Sequence, residues 1–562
     1  MNLQVIGSGS VGFTATGLGT LRDRVLGQLS LPADAEVTVE VPAFVVIAAD
    51  LFGEFLQRNH LDPDDLDGLS DRQIARKFQS AELPHGLKEH LRAVVENLDG
   101  PLTIRPSSVL EETLERSIGG VYPAKLIPNQ GPNLDRRRRR LADAVKLIWA
   151  STYFSDAVNW RRGAGEALAA EQMAVVIQRA VGSVNGRHFY PTVSVVARSY
   201  NHYPTPGNEP GEGGVALALG FGKAIGEDHV WSYCPERPTA PPPFKSMGEQ
   251  LKYTQTSFWA LDLSEGDVRD PIGVDEYMVR LGLADAERDG NLELVASTYD
   301  VQGDRLRSGF DGAGPRVLTF APLLRSRVIP FTSIIKDVMD QARAVTGREV
   351  EIEIAVNLDP ATGVPVRFGL LQLKTMAGRP QSEALGEDDL VADGVVVASE
   401  NCLGNGMRAD LEDIVYLKPA AFDRNHARVI AAELDAVNRG LLDDGRSAVF
   451  IGFGRWGTTD DRYGVPVRWG QISSAQVIVE ITLADAPMNL SQGIHFFHHL
   501  LSQKVLYFSV EHDGPYDVDF EWMDGQEAVW EGRYVRHVSL EEPVVVNVDG
   551  GRRRGLIRRS VD

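Results

Sequence analysis

The sequence predicts an α+β protein of about two to four domains. Three observations support this. The chain has 562 residues, several times the usual domain length, and 43% of them are hydrophobic, as in globular proteins. Strand-like runs and helical patterns both recur along it. Residues 349–375 carry two alternating runs on either side of a turn, the pattern of an antiparallel hairpin. The expected layout is a two-lobed module, with lobes over 1–235 and 236–380, followed by a C-terminal α/β domain over 381–562.

Residues 7–19 form a glycine-rich loop that runs into a helical pattern at Leu21, Val25, Leu26 and Leu29. Such a loop at a helix N-terminus is a ready anion site. Residues 37–46 read as a strand pair around Pro42, and residues 71–98 read as helices. Leu102, Thr103 and Ile104 then form a short strand that delivers Arg105 at its end, where Pro106 removes a backbone donor and stops the ladder. Behind Arg105 stand Ser107, Ser108, Glu111, Glu112 and the Gly119–Gly120 step. A guanidinium fork, hydroxyls and glycine amides suit a phosphate. The same composition also suits a surface turn.

The arginines of 136–140 precede an amphipathic stretch, Leu141, Ala144, Val145 and Ile148, and read as a solvated helix start. Residues 174–180 and 188–199 are strand-like. The prolines of 235–243 make a stiff connector, so a subdomain boundary is expected there.

In the hairpin, period two puts Glu351 and Glu353 on one face. Symmetry about residues 361 and 362 would set Glu351 opposite Gln372, with Lys374 on the same face and Ile352, Ile354, Leu371 and Leu373 toward the core. That polar face is either the wet side of an antiparallel sheet or a set of hard oxygen ligands for Mg²⁺ beside an ammonium for phosphate.

Further on, 452–457 satisfies Gly-x-Gly-x-x-Gly literally, but the residues after it do not start a helix, so a dinucleotide site is not expected. A glycine-lined loop presenting Arg455 and Trp456 to an acceptor is the better reading. His495 and His499 are four apart in a cluster at 491–499, without the glutamate of the His-Glu-x-x-His zinc pattern. A packed helix with buried imidazoles, a phosphoacceptor and a general base are the options for His495.

A net charge of −21 argues against nucleic acid or an anionic membrane as partner. Only Cys234 and Cys402 are present, which excludes a disulfide framework and a cysteine-based zinc site. Neither a leader-like start nor an apolar run of about 20 residues occurs, so a cytoplasmic protein is expected.

The stretch from Arg105 resembles the nucleotide-binding domain of the phosphoenolpyruvate synthase and pyruvate phosphate dikinase family, with Arg105, Ser107, Glu111, Ser117 and Gly120 on matching positions. The resemblance covers roughly residues 5–376 and implies an ATP-grasp-like fold. It implies that Arg105 contacts ATP phosphates, that Ser107, Gly120 and Gln178 belong to the nucleotide site, and that Glu351, Glu353 and Gln372 hold ATP and its metal. Lys374 replaces an arginine and keeps the charge without the bidentate fork.

There are departures. Phe13 and Thr14 stand where the family has a glycine and a lysine, which leaves altered chemistry, a substitute such as Lys125, or no turnover. Val195 stands at a glycine position beside the expected base pocket. The family's phosphohistidine motif and pyruvate barrel are not found after residue 398.

The resemblance therefore implies an ATP- and Mg²⁺-dependent phosphotransferase acting on a small polar acceptor, bound between the module and the C-terminal domain. Arg105, Lys374, Arg455 and His495 are its candidate catalytic residues. The alternatives are an ATP-grasp ligase working through an acyl phosphate and a silent nucleotide-binding or assembly protein. A homo-oligomer is left open.

Overall fold

The computed structural model describes residues 4–560 apart from 32–35, 115–120, 164–166, 168–169, 202–207, 228–229, 241–246, 253, 265–269, 310–313, 327–328, 359–365, 377–384, 405, 459–463, 484–504 and 551. The chain is α+β and divides into two compact units. The first comprises Met1–Ser117, Tyr122–Tyr153 and Ala169–Met376, and the second comprises Ile118–Val121, Phe154–Leu168 and Ala377–Asp562.

The strands of the first unit that matter here are β1 (Gln4–Ile6), β2 (Val37–Glu40), β3 (Phe44–Ile47), β4 (Leu102–Ser108), β5 (Lys125–Ile127), β6 (Met173–Arg179), β7 (Val193–Arg198), β8 (Gly214–Ala218), β9 (Trp231–Tyr233), β10 (Val350–Asn357) and β11 (Val366–Thr375). Its helices include α1 (Gly12–Thr20), α2 (Ala49–Arg58), α3 (Leu134–Ser151) and α4 (Phe331–Thr346). One sheet has the order β1-β3-β6-β4-β5 and a second the order β9-β8-β7-β10-β11-β2. One core cluster includes Val46 and Val176 of the first sheet and Val195, Ile352, Ile354 and Leu370 of the second, together with residues of α1 and α4. The arginine run lies at the start of α3, where Asn133 Oδ1 accepts from the Arg136 amide at 2.9 Å, but it is less solvated than expected: of the five only Arg139 is exposed, and Arg137 Nε donates to Asn129 Oδ1 at 2.9 Å. Leu141, Ala144, Val145 and Ile148 of that helix are buried as the pattern predicts.

Several expectations need correction. Residues 37–46 are not a strand pair: β2 runs parallel to β11 in one sheet, while β3 pairs with β1 and β6 in the other. Pro106 does not end β4, which continues to Ser108. In an antiparallel strand a residue's N–H and C=O point to the same side. The Pro106 carbonyl accepts from Thr14 Oγ1 at 2.9 Å on α1, so the absent N–H faces α1 and no ladder bond to β6 is lost. No compact unit ends at residue 235, because strands from both sides of it share the six-stranded sheet.

The hairpin register also differs by two residues from the symmetric expectation. Glu351 lies opposite Lys374 and Glu353 opposite Gln372, with a β-bulge between Glu353 and Ile354. The bulge leaves Leu371 half-buried and turns Leu370 into the core in its place. The turn at 359–363 lies outside the described residues.

The second unit is built on four parallel strands, β12 (Gly406–Leu417), β13 (Ala448–Phe453), β14 (Ala475–Ile481) and β15 (Leu506–Val510), in that spatial order. Helix α5 (Ala427–Asp443) links the first two, and β16 (Val535–Asp549) flanks β12 antiparallel. This is the α/β arrangement expected for the C-terminal region, widened by antiparallel strands. Among the described residues no helix is long and apolar enough to cross a membrane.

Candidate nucleotide-binding site

β4 alternates Leu102 and Ile104 on one face with Thr103, Arg105 and Ser107 on the other. Arg105 therefore projects on the face that also carries Val176 of β6, its direct neighbour, and Gln178. Across from it, period two in β10 and β11 sets Glu351, Glu353, Gln372 and Lys374 on one side of the second sheet. The two sides meet. Arg105 Nη1 donates to Glu353 Oε2 at 3.0 Å and to Gln372 Oε1 at 2.9 Å. Lys374 Nζ lies 3.2 Å from Glu353 Oε1 and 3.6 Å from Glu351 Oε1.

A residue not anticipated from sequence completes the cluster. Arg198, the last residue of β7, lies directly opposite Glu351, and its Nε donates to Glu351 Oε2 at 2.7 Å. The only sequence signal for it was an arginine closing a strand-like run. Its partner depends on strand pairing across about 150 residues, which local pattern does not encode.

The charges hold one another in their ionised forms. Burial pulls the Glu353 carboxyl upward, but Lys374 and Arg105 outweigh it and bring it from 4.5 down to about 2. Burial pulls the Lys374 ammonium down, and Glu353, Glu351 and Glu111 together overcome that and raise it. Three donors on these strands remain without a protein acceptor: Arg105 Nε, Arg198 Nη2 and Gln178 Nε2 are buried and make no hydrogen bond. An acceptor-rich group such as a phosphate fits that surplus of donors.

The same arrangement does not fit a magnesium ion on the glutamates. Each of the four carboxylate oxygens of Glu351 and Glu353 already faces a cationic side chain within 2.7 to 3.6 Å. Among the described residues no group of three or more His, Cys, Asp or Glu side chains converges as a metal set would.

The glycine-rich segment is used differently from the expectation of an open phosphate loop. The amide of Ser8 donates to Asp50 Oδ2 at 2.9 Å and its hydroxyl does so at 3.0 Å. Burial opposes ionisation of Asp50, but the amides of Ser8 and Gly9 and the Ser8 hydroxyl hold its carboxyl below the usual range. The loop thus binds an anion belonging to α2. Gly12, with φ +71°, lets α1 touch the Ser107 backbone, and a Cβ on Gly17 would stand 2.5 Å from the Leu373 carbonyl oxygen. These two glycines seat α1 against β4 and β11.

α1 brings Thr14 to the cluster, with Gln372 Nε2 3.5 Å from Thr14 Oγ1. The Thr14 hydroxyl, at the position where the resemblance leads one to expect a lysine, is committed to the Pro106 carbonyl. Ser107 is fully buried; its Oγ donates to the Val11 carbonyl at 2.6 Å and accepts from the Ala15 amide at 3.1 Å, so it anchors α1. Lys125 does not reach the cluster as a substitute. Its ammonium is buried against Glu276 Oε2 at 2.7 Å and the Pro271 carbonyl at 2.8 Å. Val195 faces the shared core beside Ile354, so it adds no bulk on the Glu353 side.

Gly120 and His495 lie outside the described residues. In the second unit Arg455 sits on a two-residue strand just beyond β13 and is half-buried. Burial lowers its pKa, against the pull of Glu480 and Tyr507. Trp456 is not presented for stacking: it is 1% exposed, its ring stands edge-on to Phe450, and it fills the space a Cβ on Gly452 would need. Glu480 fixes this turn by accepting from the Trp456 amide at 2.9 Å and from the Tyr507 hydroxyl at 2.5 Å.

Residues 16–232 match the family model of the pyruvate phosphate dikinase AMP/ATP-binding domain. No curated protein matches the chain significantly. The matched segment carries Arg105, Gln178 and Arg198 and ends before the β10–β11 hairpin. The hairpin joins the site through its pairing with β7.

Proposed function

From a nucleotide-binding domain of the pyruvate phosphate dikinase type as premise, we propose that the chain is an ATP-dependent phosphotransferase acting on a small polar acceptor. The observation that supports this is the convergence of Arg105 with Glu353, Gln372 and Lys374, drawn from two sheets and separated by about 250 residues of sequence. Phosphoryl transfer is mainly positioning and charge stabilisation, which a cluster of fixed cations with unused donors supplies. Arg105 would clamp phosphate, Gln178 and Gln372 would orient the nucleotide, and Lys374 would neutralise developing charge. Arg455 is proposed as a charge contact for the acceptor and His495 as its base.

Isothermal calorimetry with ATP tests the binding step. Loss of a charge-assisted phosphate contact costs on the order of 2 kcal/mol, so Arg105→Ala should bind ATP about thirtyfold more weakly. An unchanged affinity refutes the site.

A second reading, a nucleotide-binding protein without turnover, is favoured by one observation: Thr14 replaces the family's lysine and its hydroxyl is tied to the Pro106 carbonyl. ATP labelled separately at the β and γ positions, incubated with the protein and a metabolite extract, separates the two. Label in an acceptor supports transfer. Label retained wholly in bound ATP supports the silent reading.

A further inference from the structure

We propose that Arg198 and Lys374 supply, in this chain, the positive charge that a divalent cation would otherwise supply at the Glu351–Glu353 pair, so that nucleotide phosphate is held with no metal ion on those carboxylates. The inference rests on the nucleotide reading of the Arg105 cluster and adds what neutralises the phosphates there.

The geometry carries the argument. Glu351 is 1% exposed and is clamped between Arg198 on one neighbouring strand and Lys374 on the other, at 2.7 and 3.6 Å. Glu353 is clamped between Lys374 and Arg105, at 3.2 and 3.0 Å. Lys374 thus stands between the two carboxylates, in the position a bridging cation would take. Mg²⁺ needs ligand oxygens at about 2.0 to 2.1 Å in a near-octahedral shell. To reach that distance from both glutamates it would have to expel the Lys374 ammonium and lie beside two guanidiniums. The strand ladder fixes two of the three cations: Arg198, Glu351 and Lys374 occupy one cross-strand row, and Val196, Glu353 and Gln372 the next, while Arg105 reaches Glu353 from the other sheet.

The glutamates in this arrangement orient cations. Arg198 uses Nε on Glu351 and keeps Nη2 buried without an acceptor; Arg105 uses Nη1 on Glu353 and Gln372 and keeps Nε buried without one. Each arginine therefore spends one edge on a carboxylate and retains a donor for a phosphate oxygen. Arg198 is a positioning and binding residue of this site that lies on a strand neither of the acidic residues belongs to.

The test is calorimetric titration of the full-length protein with ATP, in EDTA and in excess Mg²⁺. The wild type should bind in EDTA with an affinity within about threefold of that in Mg²⁺. Arg198→Met should weaken binding in EDTA by about tenfold or more, since one charge-assisted contact is lost. Arg198→Lys, which keeps the charge and guards against a folding artefact, should bind in EDTA within a few-fold of wild type. Binding by the wild type only when Mg²⁺ is present overturns the inference and leaves the nucleotide reading standing. Absence of binding in both buffers overturns both.

Discussion

Replacing Glu353 with glutamine keeps the shape of the side chain and removes its charge, and the structure fixes what this should cost. The carboxyl is lowered from 4.5 to about 2, with burial opposing and Lys374 and Arg105 prevailing. Each pH unit is worth about 1.4 kcal/mol, so the ionised group contributes about 3 kcal/mol to the stability of the first unit at neutral pH. The folded-state value lies below the unfolded one. The contribution is therefore full above about pH 4.5 and is lost as pH falls through about 2. At pH 3.5 about 2 kcal/mol should remain.

Urea unfolding of wild type and Glu353→Gln, followed by hydrogen exchange of β10 and β11 amides to isolate the first unit, should show a gap of about 2 to 3 kcal/mol at pH 7. The gap should narrow by about 1 kcal/mol at pH 3.5. A gap that does not change with pH would refute the reasoning, because it would show that the lost stability comes from packing and not from the ion pairs.

Gly17→Ala should destabilise the first unit by about 1 to 3 kcal/mol despite alanine's higher helix propensity, since the added carbon meets the Leu373 backbone at 2.5 Å; a raised melting temperature would contradict it. Lys125→Met should cost about 3 kcal/mol by removing the buried ammonium that faces Glu276, and Lys125→Met/Glu276→Leu should recover most of it. If the double variant folds but binds ATP several-fold more weakly, Lys125 does serve the nucleotide after all. Cys402 is fully buried and burial pushes its thiol well above the ordinary range. Iodoacetamide at pH 8 should leave it unmodified in the native protein and alkylate it in urea, as read by mass spectrometry.

Much of the site was legible where a local rule applied. Period two placed Glu351, Glu353, Gln372 and Lys374 on one face, and a strand ahead of Arg105 delivered it opposite them. The rule failed where a bulge broke the period, so Leu371 was sent to the core, and the assumed turn centre at 361 and 362 added to the shift that set Gln372 opposite Glu351. It also failed wherever the meaning of a residue depended on a partner far along the chain. The loop at 7–19 has the composition of an anion cradle and is one, but its anion is Asp50. Ser107 has the chemistry of a phosphate ligand, yet the nearby backbone of α1 claims both its donor and its acceptor. Lys125 has the right charge for a substitute and is consumed by Glu276. Arg198 shows locally only that it closes a strand-like run, which does not name its partner. Residues 37–46 show the same limit: two strands joined by a short turn usually pair, and here each finds a better partner in a separate sheet.

That separation has a mechanical consequence. One of the links between the sheet that carries Glu353 and the sheet that carries Arg105 is just three residues long, 41–43. The join is stitched further by the Arg179 amide on the Ala43 carbonyl at 2.9 Å and by Arg179 on Glu40 at 3.2 Å. Proline at 42 stiffens it, and Gly369 leaves room there for Pro42 and Val181. At about 3.3 Å per residue this segment cannot lengthen by more than a few ångströms. The two sheets are therefore bound along one margin like the boards of a book. A ligand at Arg105 must therefore be accommodated without drawing the sheets apart along that margin.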